Sequence, residues 1–178
     1  MMEGEIQVIY GPMFSGKSTE LLRRIRRYTA GRKSCIILKD ARDNRYDATN
    51  LCTHDMVAGD AHPVKALDEV TQALVDSYEV IGIDEAQFFD NVAEFCESNA
   101  NAGKIVIVAA LDGTFQRHAF GKILSLVPLA ESVTKLSAIC VGCGRNAAFS
   151  KRIGSETEIH IIGGSEKYIA TCRKCHSL

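Results

Sequence analysis

Gly11-Pro12-Met13-Phe14-Ser15-Gly16-Lys17-Ser18 is the stretch that decides the reading of this chain. At each fixed position it fits the pattern glycine, four residues, glycine-lysine-serine/threonine, whose backbone N–H groups cradle phosphates. The flanks agree. Ile6-Gln7-Val8-Ile9-Tyr10 predicts a short buried strand, and Leu21, Leu22, Ile25 and Tyr28 recur at helical spacing after Lys17. Strand, glycine loop and helix together aim free N–H groups and a helix N-terminus at one anion. Lys17 is then expected to reach the β- and γ-phosphates, and Ser18 to ligate Mg²⁺. The alternative, a chance glycine turn before a helix, does not account for both flanks.

Outward from this loop the chain alternates apolar strands with helices. Cys35 to Lys39, Val80 to Ile83 and Ile105 to Ala110 read as buried strands, and Val92 to Ala100 as a helix ended by Gly103. Leu67 to Val75 reads as a short helix, and 40–60 as a long polar loop. Near-continuous apolar strands alternating with helices indicate an α/β fold, a parallel sheet covered on both faces. The Val80 strand ends in Asp84-Glu85. A carboxylate there suits Mg²⁺, often through water, and the one after it projects differently, toward the transferred phosphate. Glu85 is therefore a candidate general base for a substrate hydroxyl. The competing reading is that one of the pair caps the next helix.

From about 135–140 onward the chain changes character. Short strand-like pieces (147–151, 158–162, 168–171) are separated by glycines, with Cys140-x-x-Cys143 and Cys172-x-x-Cys175 at the edges. Two such knuckles satisfy a tetrahedral all-thiolate Zn²⁺ site, which is structural because four thiolates leave no open position. His176 adjoins the last cysteine as a possible substitute ligand. Cys35, Cys52 and Cys96 have no ligand spacing, and neither do His54, His62, His118 and His160. The division expected is 1–136 for the nucleotide-binding domain and 137–178 for the zinc-binding domain.

Composition bounds the rest. The chain has 178 residues, 46% hydrophobic, with a formal net charge of −1 and seven cysteines. A charge so near zero argues against a dedicated nucleic-acid binder. The run Arg23-Arg24, Arg26-Arg27 reads first as a solvated helix face. The apolar runs are strand-length, so no membrane span is expected. With no secretory leader visible, paired cysteines point to metal in a reducing, cytoplasmic setting.

Taken together, several motifs closely resemble the thymidine kinases of the cytosolic, zinc-containing type. They are 11–21, Ile81-Gly82-Ile83-Asp84-Glu85-Ala86-Gln87-Phe88-Phe89, Ala109 to Arg117, Ile162-Gly163-Gly164 with Lys167-Tyr168, and both cysteine pairs. The resemblance covers essentially the whole chain. Ala86 stands where many members have glycine. The resemblance implies a P-loop NTPase-like parallel sheet with a small zinc domain carrying a lasso loop. It implies transfer of the γ-phosphate of ATP to the 5′-hydroxyl of thymidine or deoxyuridine in pyrimidine salvage, with Glu85 as proton acceptor. ATP and Mg²⁺ would be held by residues 11–18, by Asp43-Asn44-Arg45, and by Asp84 and Gln87. The nucleoside would be contacted by Met13, Phe88, Leu111, Phe115, Phe120, Ile159, His160, Ile161, Ile162, Gly163 and Tyr168. It also implies a homotetramer and feedback inhibition by thymidine triphosphate. Two rivals predict otherwise. A nucleic-acid ATPase with a zinc ribbon needs a basic stripe with aromatics. A monophosphate kinase needs cationic groups for a second phosphate, where this chain offers glycines, aliphatics and Tyr168.

Overall fold

The computed structural model describes residues 3–42, 50–52, 58–159 and 163–177, with 50–52 and 58–60 described by backbone alone. In chain order the elements are β1 (Glu5–Tyr10), α1 (Lys17–Ala30), β2 (Cys35–Asp40), β3 (Asn50–Cys52), β4 (Ala58–Asp60), β5 (His62–Val64), α2 (Gln72–Asp76), β6 (Val80–Asp84), α3 (Val92–Asn101), β7 (Ile105–Ala110), β8 (Ser132–Lys135), β9 (Ala138–Ile139), β10 (Asn146–Ala147), β11 (Phe149–Arg152), β12 (Tyr168–Thr171) and α4 (Arg173–His176). Three 3-10 turns lie at Leu67–Glu69, Ala86–Phe88 and Ile123–Leu129.

Six strands form one parallel sheet in the order β5-β2-β6-β7-β1-β8. Its composition explains its burial. Side chains alternate across a strand, so Ile6, Val8 and Tyr10 enter the core shared with α3, whereas Ile9 enters the core under α1. In β7, Val106, Val108 and Ala110 go one way and Ile105, Ile107 and Ala109 the other. Both faces are therefore apolar, as in a sheet covered by helices on each side. α1 docks through Leu21, Leu22 and Ile25. Gly82 lets it sit close, since a Cβ there would lie 3.2 Å from Ile25 Cδ1 and 3.3 Å from Leu21 Cδ1. The chain leaves β1 by α1 and returns at β2, beyond β7 and β6 in the sheet. Such a switch opens a crevice at the carboxyl ends of the strands, where the phosphate loop, Asp84 and Leu111 all fall.

Several elements differ from the sequence reading. Residues 40–60 are not one loop, because β3 and β4 pair as an antiparallel hairpin, and β5 then adds in parallel to β2. The 67–75 helix is broken: a 3-10 turn precedes α2, whose start Thr71 caps by accepting from Leu74 N–H at 3.3 Å. β8, with alternating Ser-Val-Thr-Lys, is an edge strand too polar and short to stand out. The 147–151 piece divides between β10, paired with β9, and β11, paired with β12. Glu158 and Ile159 lie outside any strand, and 160–162 lie outside the described residues. Gly103 does end α3, at φ 88° with its N–H on Ala100 O. The basic run on α1 is partly used internally. Glu20 pairs with Arg23 at 2.6 Å and Arg24 at 2.8 Å, and Arg24 also reaches Gln7 and Thr134.

Candidate active site

The phosphate loop leaves β1 in a shape its residues require. A Cβ on Gly11 would lie 2.5 Å from Ser15 Oγ and 2.9 Å from the Leu136 carbonyl. Gly16 is left-handed, φ 81°, where glycine carries no steric cost. Phe14 is left-handed as well, φ 64°, although it is not glycine. The Pro12 carbonyl accepts from Ser15 Oγ at 2.8 Å and from Lys17 Nζ at 2.7 Å, which folds the ammonium back over the loop.

Ser18, in the first turn of α1, donates to Asp84 at the end of β6, with Oγ 2.9 Å from Oδ2 and 3.1 Å from Oδ1. Asp84 is 5% exposed. Burial above all, then repulsion from Glu85, pushes its carboxyl up to about 7; the Ser18 hydroxyl and the Lys17 charge pull the other way. A buried carboxylate and a hydroxyl, both hard oxygen donors, suit Mg²⁺, and a cation there would favour the ionised form.

Glu85 follows at φ 51°, an uncommon backbone conformation for a non-glycine residue and a type of strain that clusters at active sites. Its Oε2 accepts from Gln87 Nε2 at 2.6 Å, and Gln87 Oε1 accepts from Leu111 N–H at 3.0 Å. Gln87 is buried and so ties Glu85 to the end of β7. Phe88 meets Phe120 edge to face, ring centres 5.7 Å apart. Arg42 pairs with buried Asp40 at 2.5 Å and donates to the Phe88 carbonyl at 3.3 Å, bracing the turn after Glu85.

On the far side of the cleft Arg152 is the organising residue, and nothing in its local sequence marks it. It is 7% exposed. Nη1 donates to the Glu156 carbonyl at 2.9 Å and to the Glu158 carbonyl, while Nη2 reaches the Ile159 carbonyl at 3.4 Å and Tyr168 Oη at 2.6 Å. The guanidinium stacks 3.9 Å from the Phe115 ring centre. One fork thus joins Phe115, Tyr168 and the 156–159 main chain, of which Phe115, Ile159 and Tyr168 are expected nucleoside contacts. Gly163 begins the returning limb and is buried; Gly164 O accepts from Lys167 and Tyr168 N–H. Asp43, Asn44, Arg45, His54, His160, Ile161 and Ile162 lie outside the described residues.

Cys140, Cys143, Cys172 and Cys175 place their Sγ atoms within 4.8 Å of one another. Cys143 and Cys172 are 3.6 Å apart, close to the spacing of about 3.8 Å for thiolates about 2.3 Å from one Zn²⁺. Four sulfurs this close together suit the ligand set of one metal ion. Arg145 holds Cys143 down to about 6, whereas hydrogen bonds with Cys172, Cys143 and Cys140 push Cys175 up to about 12. Gly142 leaves room for Cys175, whose Sγ would stand 3.2 Å from a Cβ. His176 is engaged elsewhere, with Nε2 3.2 Å from the Phe115 carbonyl and its ring edge to face with Phe149.

A phosphate loop after β1, a hydroxyl–carboxylate pair joining α1 to β6, and a four-thiolate lobe define a P-loop nucleotide-binding protein with a zinc-type appendage. Comparison with known proteins narrows this. The model of a family described as thymidine kinase matches residues 4–176. The cytosolic thymidine kinase of Homo sapiens is 57% identical over 173 residues, 97% of this chain and 73% of that one. That of Gallus gallus is also 57% identical, covering 97% and 77%. The Monkeypox virus thymidine kinase is 57% identical over 176 residues, 99% of this chain and 98% of its own. A solved structure of Bacteroides Pif1 bound to single-stranded DNA aligns with TM-score 0.33 and 16% identity over 62% of this chain and 29% of that one, too slight a likeness to bear on function. The chain belongs to the thymidine kinase family.

Proposed function

We propose that this protein is an ATP-dependent thymidine kinase, transferring the γ-phosphoryl group of ATP to the 5′-hydroxyl of thymidine, and of deoxyuridine, to give the 5′-monophosphate. The observation that carries the reading is the pair of adjacent carboxylates at the end of β6. Asp84 is bonded to Ser18 of the phosphate loop, whereas Glu85 is bonded to Gln87. Those different partners support two roles at one strand end. Residues 11–18 hold the phosphates, Lys17 offsets their charge, and Glu85 takes the proton from the 5′-hydroxyl as the O–P bond forms and ADP leaves. Ser18 and Asp84 would hold Mg²⁺, which would neutralise charge on the phosphates. Asp43, Asn44 and Arg45 supply a further phosphate contact.

On the nucleoside side, Phe88, Phe115, Phe120 and Tyr168 enclose the sugar and base. Met13, Leu111 and Tyr168 receive the thymine methyl, and main-chain groups of 159–163 read the pyrimidine edge. A methyl pocket discriminates by only about 1–3 kcal/mol, so deoxyuridine remains a substrate. Deoxycytidine puts a donor where the site expects an acceptor and is rejected. In this reading 1–136 and 137–178 are the two domains. Zn²⁺ on the four cysteines is structural and pins both ends of the lasso. The protein works as a cytoplasmic homotetramer, inhibited by thymidine triphosphate.

Glu85→Gln tests the assignment of the base. Turnover should fall by on the order of 10²–10⁴, while nucleoside affinity measured by calorimetry stays near that of the parent. Turnover within about threefold of the parent would refute it.

A further inference from the structure

The phosphate loop is held on two sides by the tetracysteine lobe. Phe14, left-handed at φ 64°, packs its ring against Ala138, Cys140, Ala147 and Ala170, the small core that also receives Cys172 and Cys175. One residue earlier, Met13 N–H donates to Ser150 Oγ at 3.0 Å; Ser150 is buried on β11, which pairs with β12. β12 leads directly into Cys172. A non-glycine residue keeps a left-handed backbone when its surroundings over-determine it. Here those surroundings are the small core of Ala138, Cys140, Ala147 and Ala170, against which Cys172 and Cys175 also pack. The nucleotide mechanism uses the main chain of this loop and assigns no task to the ring of Phe14.

We propose that the tetracysteine lobe positions the phosphate loop through Phe14, so that metal occupancy at the four cysteines and adenine-nucleotide affinity are coupled. This inference rests on the kinase reading above. Metal that orders Cys140, Cys172 and Cys175 orders the wall on which Phe14 sits, and so pre-forms the loop that wraps the phosphates. Coupling of this kind is reciprocal: nucleotide in the loop must retain metal at the cysteines to the same degree. The zinc lobe therefore serves the phosphate side of the site as well as the nucleoside side.

The test uses the full-length zinc-loaded protein, without nucleoside. Zinc partition between the protein and a chromophoric chelator is brought to equilibrium with and without saturating ADP, and affinity for a fluorescent ATP analogue is measured separately. The wild-type protein should hold zinc several-fold more tightly with ADP. Phe14→Ala should retain about one zinc per chain, lose that protection, and bind the analogue at least about fivefold more weakly. Phe14→Leu, which refills the same wall, should restore both in part. A zinc partition of the wild-type protein that ignores ADP would overturn the proposal. So would a Phe14→Ala protein with undiminished ADP protection and analogue affinity. A wild-type protein that binds the analogue normally but shows no ADP effect on zinc defeats this inference alone, whereas one that binds no adenine nucleotide defeats the kinase reading itself.

Discussion

At the scale of single residues, the site is built by opposing the environments of neighbours. Asp84 is enclosed and raised to about 7, while Glu85 is turned out of line by its left-handed backbone. The sign of the Asp84 shift sets a pH dependence. A carboxyl whose folded value lies above its unfolded one, 3.8 here, binds its proton more tightly in the folded state. Ionising it therefore costs stability as pH rises from about 4 to about 7. Asp84→Asn removes that cost. Without nucleotide or Mg²⁺, the variant should melt at a temperature close to the parent's near pH 4 and increasingly above it up to pH about 7, then run parallel. Melting curves from pH 4 to 8 check this; a difference that does not grow with pH would contradict it. Ser18 and Asp84 were legible as candidates because each stands at a fixed place in a local pattern, and the structure brings the two together. Gln87 entered only through the family resemblance and Arg42 not at all: beyond their near neighbours Glu85 and Asp40 they reach Leu111 N–H and the Phe88 carbonyl, and a contact with another element's main chain leaves no mark in spacing.

At the scale of elements, what could be read divides by periodicity. β1, β6, β7, α1 and α3 carry strong apolar patterns and lie where those patterns put them. β5 and β8 are the sheet's edge strands, short and partly polar, and an edge strand owes its place to its neighbour more than to its composition. β11 is the instructive case. Its buried positions, Ser150 and Arg152, are polar, so hydrophobic alternation points the wrong way. Each is buried because it serves main-chain groups of another segment: the phosphate loop for Ser150, and 156–159 for Arg152. Replacing Arg152 by Met keeps much of the apolar stem and leaves three carbonyls and the Tyr168 hydroxyl without their donor. At about 1–3 kcal/mol for a buried group left unpaired, the nucleoside KM should rise roughly ten- to a hundredfold. The KM for ATP should hold within about threefold, and Arg152→Lys should recover part of the loss. Steady-state kinetics varying one substrate at a time check this. Equal rises in both KM values would mean general loosening of the fold rather than loss of the nucleoside-side brace.

At the scale of the whole molecule, a sheet that gathers phosphate loop, Asp84 and Leu111 at the carboxyl ends of its strands is joined, through Met13–Ser150 and Arg152–Phe115, to the segment that carries the four cysteines. The cysteine pairs were legible because a chelate requires short spacing within each pair, and the fold had only to bring the pairs together. Assembly is less legible, since a surface with net charge −1 neither drives nor opposes association strongly. A homotetramer is expected, and light scattering at micromolar concentration with ATP should report four chains; a single-chain mass would contradict it. The central claim is narrower than assembly and more exposed to test: the acceptor is an uncharged pyrimidine deoxynucleoside. The direct measurement is transfer of labelled phosphate from ATP-Mg²⁺ to thymidine, deoxyuridine, deoxycytidine and thymidine monophosphate at equal concentration, compared as kcat/KM. The account predicts thymidine first, deoxyuridine within about two hundredfold as the loss of one methyl allows, and far weaker transfer to deoxycytidine and to the monophosphate. Preferential phosphorylation of thymidine monophosphate, or comparable kcat/KM for deoxycytidine and thymidine, would contradict it.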